Sequence, residues 1–265
     1  MATYAVLGAT GATGHQTVLH LLALSPEIKI HVYVRSKPKL LHLLPQVANN
    51  KNVRIFEGSM NDTALLTACI ASTKAVFAVI ASNENAPGLS IAQDSAAAVL
   101  ASMRRLQQES NAAKLPRIVV LSAVMVNKRL CEKVSWLEHL VIYHAFWHIY
   151  QDLEKAESLY AREAEKGSLD LDVRFVQPGA LIQGGKSGIV TISEVDRSEP
   201  ISYADLAEAM VQVANLEGAK PTNVAVVVEG SKLQIHPTLL LTVLEGLLWT
   251  FIPRLYGLFQ YFHLK

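Results

Sequence analysis

The sequence predicts an α/β fold built on a doubly wound parallel sheet, and three observations support this. Short β-branched segments alternate with longer amphipathic ones, which is typical of strands joined by crossover helices. Residues 75–80 are all apolar, as expected for a strand buried on both faces. The chain has 265 residues, of which 51% are hydrophobic and 18% are charged, so one large core can form.

The pattern indicates a single domain over residues 1–265, without an internal repeat or a linker. Strands are expected at 4–7, 30–34, 53–56, 75–80, 117–122, 172–176 and 223–228. Helices are expected at 15–24, from a cap at 61–62 to 70, at 90–110, at 136–166 as one or two helices, and at 202–216. Ser202 caps the last of these, with Asp205 placed as in a capping box. Residues 184–188 are expected to form a glycine-rich turn. Residues 180–265 should add a small substrate-binding region and an apolar C-terminal helix.

Charge and cysteine content exclude several classes of protein. Lys and Arg total 24 against 23 Asp and Glu, a net charge of +1 with no basic stretch, which argues against nucleic-acid binding. Cys69 and Cys131 are too few for a disulfide framework and lack metal-ligand spacing. The N-terminus has no basic region before its apolar run, so no signal peptide is expected. We therefore expect a reducing, cytoplasmic location.

A glycine-rich turn follows the first predicted strand and opens the first helix. Gly8 allows the tight turn, Gly11 lets backbone amides approach a pyrophosphate, and Gly14 allows close helix packing. Amides at the start of the helix add partial positive charge. The pattern predicts a Rossmann-type dinucleotide site formed by Gly8, Thr10, Gly11, Ala12, Thr13 and Gly14. The alternative is a glycine turn that packs the helix without any ligand.

Position 35 indicates which dinucleotide binds. It follows the second strand, where sites that prefer NAD place an acid for the ribose hydroxyls. Arg35 can instead pair with a 2′-phosphate and stack beside adenine, and Lys37 or Lys39 can add a second positive charge. We therefore expect NADP(H) rather than NAD(H). The alternative is an ordinary solvated arginine.

Further cofactor contacts are expected at the carboxyl ends of the third and fourth strands, where ligands bind in open α/β sheets. The expected residues are Ser59, Met60, Asn61, Ala81, Ser82 and Asn83. Each segment also has a purely structural interpretation. Residues 58–62 can serve as a helix cap only, and Asn83 and Asn85 can form simple Asx turns.

Five motifs together resemble one family: LGATGATG at 7–14, VRSK at 34–37, NENAPG at 83–88, QPGA at 177–180 and ISYADL at 201–206. Over residues 3–228 the chain resembles the atypical, NmrA-like short-chain dehydrogenases/reductases. It is most similar to the averufin oxidase A-like oxidoreductases of fungal aromatic polyketide biosynthesis. The resemblance implies further cofactor contacts from Ser122, Pro178 and Gly179. It also implies an NADPH-dependent oxidoreductase acting on an anthraquinone- or xanthone-like small molecule.

The catalytic half departs from the family pattern, in which a serine acts together with Tyr-x-x-x-Lys. Ser122 ends the fifth strand, but the fourth residue after Tyr150 is Glu154. The nearest lysine, Lys155, is rotated by about one residue from the usual helix face. The resemblance implies that Ser122 and Tyr150 bind the substrate oxygen, with Lys155 or His148 helping proton transfer.

The same helical segment contains two histidines and several aromatic residues. His144 and His148 have the spacing of a helical metal pair, but no acidic partner completes the pattern, so no metal site is expected. The alternative interpretation, for Tyr143 and Trp147 as well, is an aromatic face packed on the sheet.

Two other functions remain open at this point. The broken Tyr-x-x-x-Lys pattern favours an NmrA-like NADP-binding regulator that senses redox state without catalysis. An isomerase or ring-opening enzyme could use the same pocket. The aromatic and histidine residues near the expected cleft favour the oxidoreductase.

The C-terminal segment 238–252 is apolar, with Glu245 its only charge. As a helix it would be about 22 Å long, short of the roughly 30 Å hydrocarbon core of a bilayer, so no spanning segment is expected. The alternatives are a helix over the substrate cleft, a subunit interface in a homodimer, and an interfacial membrane contact. We favour the first two, since a planar polycyclic substrate needs an apolar wall. Aromatic side chains that could form this wall are Trp249, Phe251, Tyr256 and Phe259.

Overall fold

The computed structural model describes residues 2–110, 114–218, 222–234 and 237–263. The strands are β1 (Thr3–Leu7), β2 (Lys29–Val34), β3 (Val53–Glu57), β4 (Ala75–Ala78), β5 (Arg117–Leu121), β6 (Val173–Val176), β7 (Leu181–Ile182), β8 (Ile189–Ser193), β9 (Ile201–Ser202) and β10 (Asn223–Glu229). The α-helices are α1 (Ala12–Leu24), α2 (Lys37–Leu43), α3 (Thr63–Ile70), α4 (Ile91–Ser110), α5 (Lys128–Cys131), α6 (Trp136–Ala145), α7 (Trp147–Glu165), α8 (Tyr203–Asn215), α9 (Thr238–Phe251) and α10 (Pro253–His263). Short 3-10 turns lie at Pro45–Val47 and Val124–Val126.

Eight strands form one sheet in the order β3-β2-β1-β4-β5-β6-β10-β8. Neighbouring strands are parallel except β10 and β8, which are antiparallel. The order reverses between β1 and β4, so the loops that leave these two strands diverge and open a crevice at their carboxyl ends. The doubly wound α/β fold predicted from the sequence is confirmed. The edge strand β8 was not predicted.

Alternate strand residues contribute to two hydrophobic cores, one on each face of the sheet. In β1, Tyr4 and Val6 belong to a core that includes side chains of α1 and α8. Ala5 and Leu7 belong to a second core with side chains of α3, α4 and α7. Because both faces are covered, β4 is apolar throughout, as the sequence indicated.

The C-terminal helices are joined to the rest of the molecule by close packing of α9 on α6. A Cβ at Gly246 would lie 1.9 Å from the carbonyl oxygen of Ala145, so the two helices approach closely only because position 246 is glycine. The helix α10 follows α9 after a bend of 112°. No single helix in the described ranges is long and apolar enough to cross a membrane, whereas the bent pair α9–α10 meets that criterion by length and composition.

Candidate active site

The glycine turn after β1 has the geometry that a dinucleotide site requires. Gly8 has a φ of +95°, and a Cβ at Gly14 would lie 2.3 Å from the Gly8 carbonyl oxygen. Neither position accepts a side chain without strain. Gly11 is exposed and is the N-cap of α1, where it supplies no side-chain hydrogen bond. The first amides of α1 therefore lack an internal partner and suit an anionic group such as a pyrophosphate.

The other residues of this turn divide between surface and interior. Thr10 and Ala12 are partly exposed on either side of Gly11. The side chain of Thr13 is buried, and its carbonyl accepts a hydrogen bond from Thr17 Oγ1 at 2.8 Å. Thr13 can thus offer a ligand its amide only.

Arg35 directly follows β2 and is exposed, as a contact with an adenine ribose requires. Lys37 and Lys39 are exposed at the start of α2, which Ser36 caps. The amide of Lys37 donates to Glu57 Oε1 at 2.8 Å, so one carboxylate shares this corner with three cationic side chains. The excess of positive charge suits a 2′-phosphate.

The segment after β3 contains both a helix cap and exposed polar groups. Asp62 Oδ1 accepts the Leu65 N–H at 2.9 Å and thereby caps α3. Ser59 and Asn61 are exposed, whereas Met60 packs partly against the second core. The cap does not use the exposed side chains, which remain accessible to an adenine.

After β4, Ala81 and Asn83 are exposed, while Ser82 accepts the Glu84 N–H at 3.0 Å in a local turn. Asn83 is hydrogen-bonded to Tyr203, the first residue of α8. Two loops at the carboxyl side of the sheet are thereby joined. Tyr203 was not among the residues predicted from the sequence.

Asn85 is buried and has a structural role. Its Nδ2 donates to the carbonyl oxygens of Ala145 at 3.0 Å and Gly246 at 3.1 Å, and to Thr250 Oγ1 at 3.2 Å. Its Oδ1 accepts the His148 N–H at 2.8 Å. Asn85 therefore links the β4 loop to α6, α7 and α9 rather than forming only the local Asx turn expected from the sequence.

Pro178 and Gly179 follow β6 and lie in a tightly packed loop. The Pro178 carbonyl accepts the Val124 N–H at 2.9 Å. A Cβ at Gly179 would lie 2.0 Å from Glu199 Oε1, so glycine lets the Glu199 side chain cross the loop here. Glu199 is paired with Arg197 at 2.8 Å.

Tyr150 lies in the first turns of α7, and its hydroxyl has no hydrogen-bond partner in the described part of the chain. Its ring packs against Tyr143 at 5.5 Å and Phe146 at 5.9 Å between centroids. Burial, reinforced by the charge of Glu199, raises the pKa of Tyr150 above its usual value. At neutral pH the group is a protonated phenol with a free hydroxyl, which can act as a proton donor.

Ser122 is buried and donates its hydroxyl hydrogen to Glu157 Oε1. Gln177 Nε2 donates to the same oxygen at 2.9 Å, and Asn127 Nδ2 donates to Gln177 Oε1 at 2.7 Å. Burial raises the pKa of Glu157, while the bonds from Ser122 and Gln177 oppose this rise. With its hydrogen held by Glu157, Ser122 can offer a ligand only an acceptor lone pair.

The position of Lys155 argues against its predicted role. It is exposed on α7. Five residues correspond to about 500° of helix rotation, so Lys155 lies on a different face of the helix from Tyr150. One turn after Tyr150 lies Glu154, whose Oε1 accepts the Tyr143 hydroxyl at 2.7 Å. Among the described residues, no lysine acts to lower the pKa of Tyr150.

His144 and His148 differ in whether their ring nitrogens are already engaged by other groups. His144 Nδ1 lies 2.7 Å from the Leu140 carbonyl, and its ring is stacked on Trp147 and Phe251. His144 is thus used in packing. His148 Nε2 is buried without a hydrogen-bond partner among the described residues, so His148 is the better candidate for proton transfer.

Sequence reasoning missed the carboxylates Glu154 and Glu157. With Tyr150 they form an i, i+4, i+7 series, which places all three on one side of a helix. That spacing was visible in the sequence. The partners Ser122 and Tyr143 come from other elements, so only the tertiary structure shows what the carboxylates do.

Residues 8–217 match the family described as NAD(P)H-binding. The chain belongs to this family.

It is 39% identical to the oxidoreductase ordB of Dothistroma septosporum, over 97% of this chain and 94% of that one. It is 38% identical to the oxidoreductase aflX of Aspergillus parasiticus, over 98% and 96%. It is 35% identical to the oxidoreductase stcQ of Emericella nidulans, over 97% and 91%.

Solved structures show the same fold at low sequence identity. A short-chain dehydrogenase/reductase of Veillonella parvula has a TM-score of 0.66 and 15% identity, covering 89% of this chain and 99% of that one. Yeast methylglyoxal/isovaleraldehyde reductase Gre2, complexed with NADPH, has a TM-score of 0.61 and 15% identity, covering 86% and 78%. The resemblance found in the sequence is confirmed: the chain is an NAD(P)H-dependent oxidoreductase, and its fold is that of the short-chain dehydrogenases/reductases.

Proposed function

We propose that this protein catalyses NADPH-dependent reduction of a ketone or quinone carbonyl in an anthraquinone- or xanthone-like polyketide of fungal secondary metabolism. The observation that carries the proposal is Tyr150, a protonated phenol in α7 whose hydroxyl has no hydrogen-bond partner among the described residues. The similarity to the fungal oxidoreductases ordB, aflX and stcQ supports the reaction class.

The preference for NADP(H) over NAD(H) rests on the corner at the end of β2. Arg35 is exposed there together with Lys37 and Lys39. A guanidinium can pair with both oxygens of a 2′-phosphate, a contact that the free ribose hydroxyl of NAD cannot make. When bound, NADPH supplies the hydride, and the glycine turn after β1 offers amides to its pyrophosphate.

Residues of this chain supply the proton that the carbonyl oxygen takes up. Tyr150 donates its hydroxyl proton to the carbonyl oxygen as negative charge develops there. Tyr143 is held beside the Tyr150 ring by its bond to Glu154, and Gln151 Nε2 donates to that carboxylate at 3.0 Å. His148, with its unpartnered Nε2, is the second candidate for moving the proton.

The direction of the reaction follows from the pKa of Tyr150. The phenol of Tyr150 is protonated at neutral pH, so the resting group can donate a proton in reduction and is not available to accept one in oxidation. We therefore propose reduction as the direction favoured at neutral pH.

Consumption of NADPH by the purified full chain, with and without a hydroxyanthraquinone, tests the proposal. Quinone-dependent consumption that scales with protein concentration is the expected result. The placement of Glu154 and the exposure of Lys155 favour a second function, binding of NADPH by a redox-sensing regulator without turnover. Tight NADPH binding without consumption, across several polycyclic quinones and ketones, would support the regulator instead.

The cytoplasmic location and the homodimer that the sequence predicts remain proposals. The free thiols of Cys69 and Cys131 are consistent with a reducing, cytoplasmic location. A homodimer is consistent with the apolar residues that α6 and α9 expose. The same residues also suit a different partner, and the experiment below distinguishes the two.

A further inference from the structure

The exposed apolar residues of this protein are concentrated on three helices, α6, α9 and α10, of which α9 packs against the other two. Of the nineteen large apolar residues that are exposed in the described ranges, fourteen lie on α6, α9 and α10 or at the bend between the last two. We call this surface the α6–α9–α10 face. Its members are Trp136, Leu137, Leu140, Val141, Leu240, Leu241, Leu244, Leu248, Phe251, Ile252, Leu255, Leu258, Phe259 and Tyr261. A contiguous exposure of this kind usually marks an interaction site.

The burial pattern of α9 shows that this exposure is not a consequence of loose packing. One side of α9 is buried, and its residues there are Val243, Gly246 and Trp249. The opposite side exposes Leu241 (66%) and Leu244 (55%) to solvent. The helix is thus docked firmly on α6 and presents a second apolar side outward.

The face offers almost no charge or directed polar group. Between residues 237 and 263 the sequence has one acid, Glu245, and one arginine, Arg254, and α6 adds one exposed acid, Glu138. The Glu245 carboxylate already accepts the indole N–H of Trp249 at 3.2 Å. A protein interface of standard size carries about ten direct hydrogen bonds and a polar rim, for which this face supplies few groups. Its composition is that of a lipid-contacting surface, since α9 and α10 together are apolar enough for a bilayer.

We propose that the α6–α9–α10 face docks this protein onto the surface of a lipid bilayer. The 112° bend prevents the pair from crossing as one rod but allows both helices to lie within the interfacial layer. Trp136, which is 77% exposed at the start of α6, and Tyr261 in α10 are of the residue types that favour the boundary between lipid and water.

An unbroken series of aromatic contacts connects this face to the candidate proton donor. Phe251 stacks on His144 at 5.8 Å, His144 on Trp147 at 5.5 Å, and Trp147 contacts Tyr143 at 5.5 Å. Tyr143 in turn contacts Tyr150 at 5.5 Å. If the proposed function holds, docking would place the site beside the phase in which a polycyclic substrate dissolves. The docking itself does not depend on that function.

Flotation of the purified full chain with phosphatidylcholine vesicles tests the proposal. The wild type should float with the vesicles, and high salt should not release it, because the contact is mainly apolar and phosphatidylcholine carries no net charge. The double variant Leu241→Lys/Leu244→Lys should lower the vesicle partition coefficient by more than about tenfold, because it removes apolar contact and inserts two charges. The matched control Ile189→Lys/Val195→Lys changes two equally exposed apolar residues outside the face and should float like the wild type.

Sedimentation of the protein without lipid measures its oligomeric state and thereby tests whether the face instead binds a second copy of this chain. A wild-type dimer that does not float, converted to a monomer by Leu241→Lys/Leu244→Lys, would overturn the proposal in favour of a subunit interface. A wild-type monomer that does not float with the vesicles would overturn the proposal as well. Thermal melting of each variant verifies folding, and NADPH titration reports separately on the proposed function.

Discussion

At the residue scale, the pKa of Tyr150 determines what this site can do. The family solution is a lysine that lowers the pKa of the tyrosine, and here Lys155 points to solvent while Glu154 occupies the next turn. Burial and the Glu199 carboxylate raise the pKa instead. Tyr150 is therefore protonated at neutral pH, which is the form that can donate a proton.

Replacement of Tyr150 by phenylalanine removes the proton donor and keeps the ring. Tyr150→Phe should lower kcat by about 10²–10⁴ with little change in NADPH affinity, because the lost interaction forms only in the transition state. Steady-state kinetics and cofactor titration measure the two effects. Tyr143→Phe is the control, since it keeps the stacked ring and loses only the bond to Glu154, and it should cost about tenfold or less. Near wild-type turnover in Tyr150→Phe would transfer the role to His148 or to water.

The pH dependence of kcat provides a second test of Tyr150. The protonated phenol is the active form, so activity is complete below its pKa and is lost as pH rises through it. Because that pKa is raised, kcat for reduction should be flat across neutral pH and fall only above about pH 10. A descending limb near pH 7 would indicate that a histidine, with His148 the first candidate, supplies the proton.

Cofactor preference depends on Arg35. Arg35→Asp should weaken NADPH binding by more than about tenfold and NADH binding much less, because a carboxylate repels the 2′-phosphate that the guanidinium pairs with. Fluorescence titration with both dinucleotides measures this. Arg162→Asp makes the same charge change at an exposed position on α7 and should affect neither dinucleotide. Equal losses of NADPH and NADH in Arg35→Asp would contradict the assignment.

At the scale of elements, the contact of α9 with α6 depends on a missing side chain. Gly246→Ala would bring a methyl group to 1.9 Å from the Ala145 carbonyl oxygen, so the helices must separate. The free energy of unfolding should fall by about 1–3 kcal/mol. Gly257→Ala in α10 is the matched control, since a Cβ there meets nothing within 4 Å. That control should be neutral or slightly stabilising. Thermal unfolding that ranks the two variants in the opposite order would refute this packing.

Several elements were predictable because their signals are local. The capping box at α8 is confirmed, with Asp205 N–H donating to Ser202 Oγ at 3.0 Å and Ser202 N–H donating to Asp205 Oδ2 at 3.0 Å. The break between α6 and α7 depends instead on Asn85, whose Oδ1 accepts the first amides of α7 from a loop about sixty residues earlier in the chain. A sequence pattern carries no trace of that bond. The edge strand β8 was missed for the same reason, since its pairing with β10 is tertiary.

At the scale of the whole molecule, the two halves of the site differ in how far the sequence could predict them. The cofactor half lies on consecutive strand ends, so its predicted contacts Gly8, Gly11, Gly14 and Arg35 follow from spacing alone. The catalytic half brings α7 against β5, β6 and the C-terminal helices. The bond from Ser122 to Glu157 joins two of these elements across the fold, and neither its existence nor its effect on Ser122 follows from a motif.

Transfer of isotope from NADPH labelled with deuterium at nicotinamide C4 tests the central claim most directly. Each of the two C4 positions is labelled in turn, and the full chain is incubated with a polycyclic aromatic ketone, whose reduction to a secondary alcohol keeps the transferred hydrogen on carbon. One of the two labelled cofactors should yield a reduced aromatic product one mass unit heavier, detected by mass spectrometry, and Tyr150→Phe should form it far more slowly. A reduced product without deuterium from either cofactor, or NADPH that binds and is never consumed, would contradict the account.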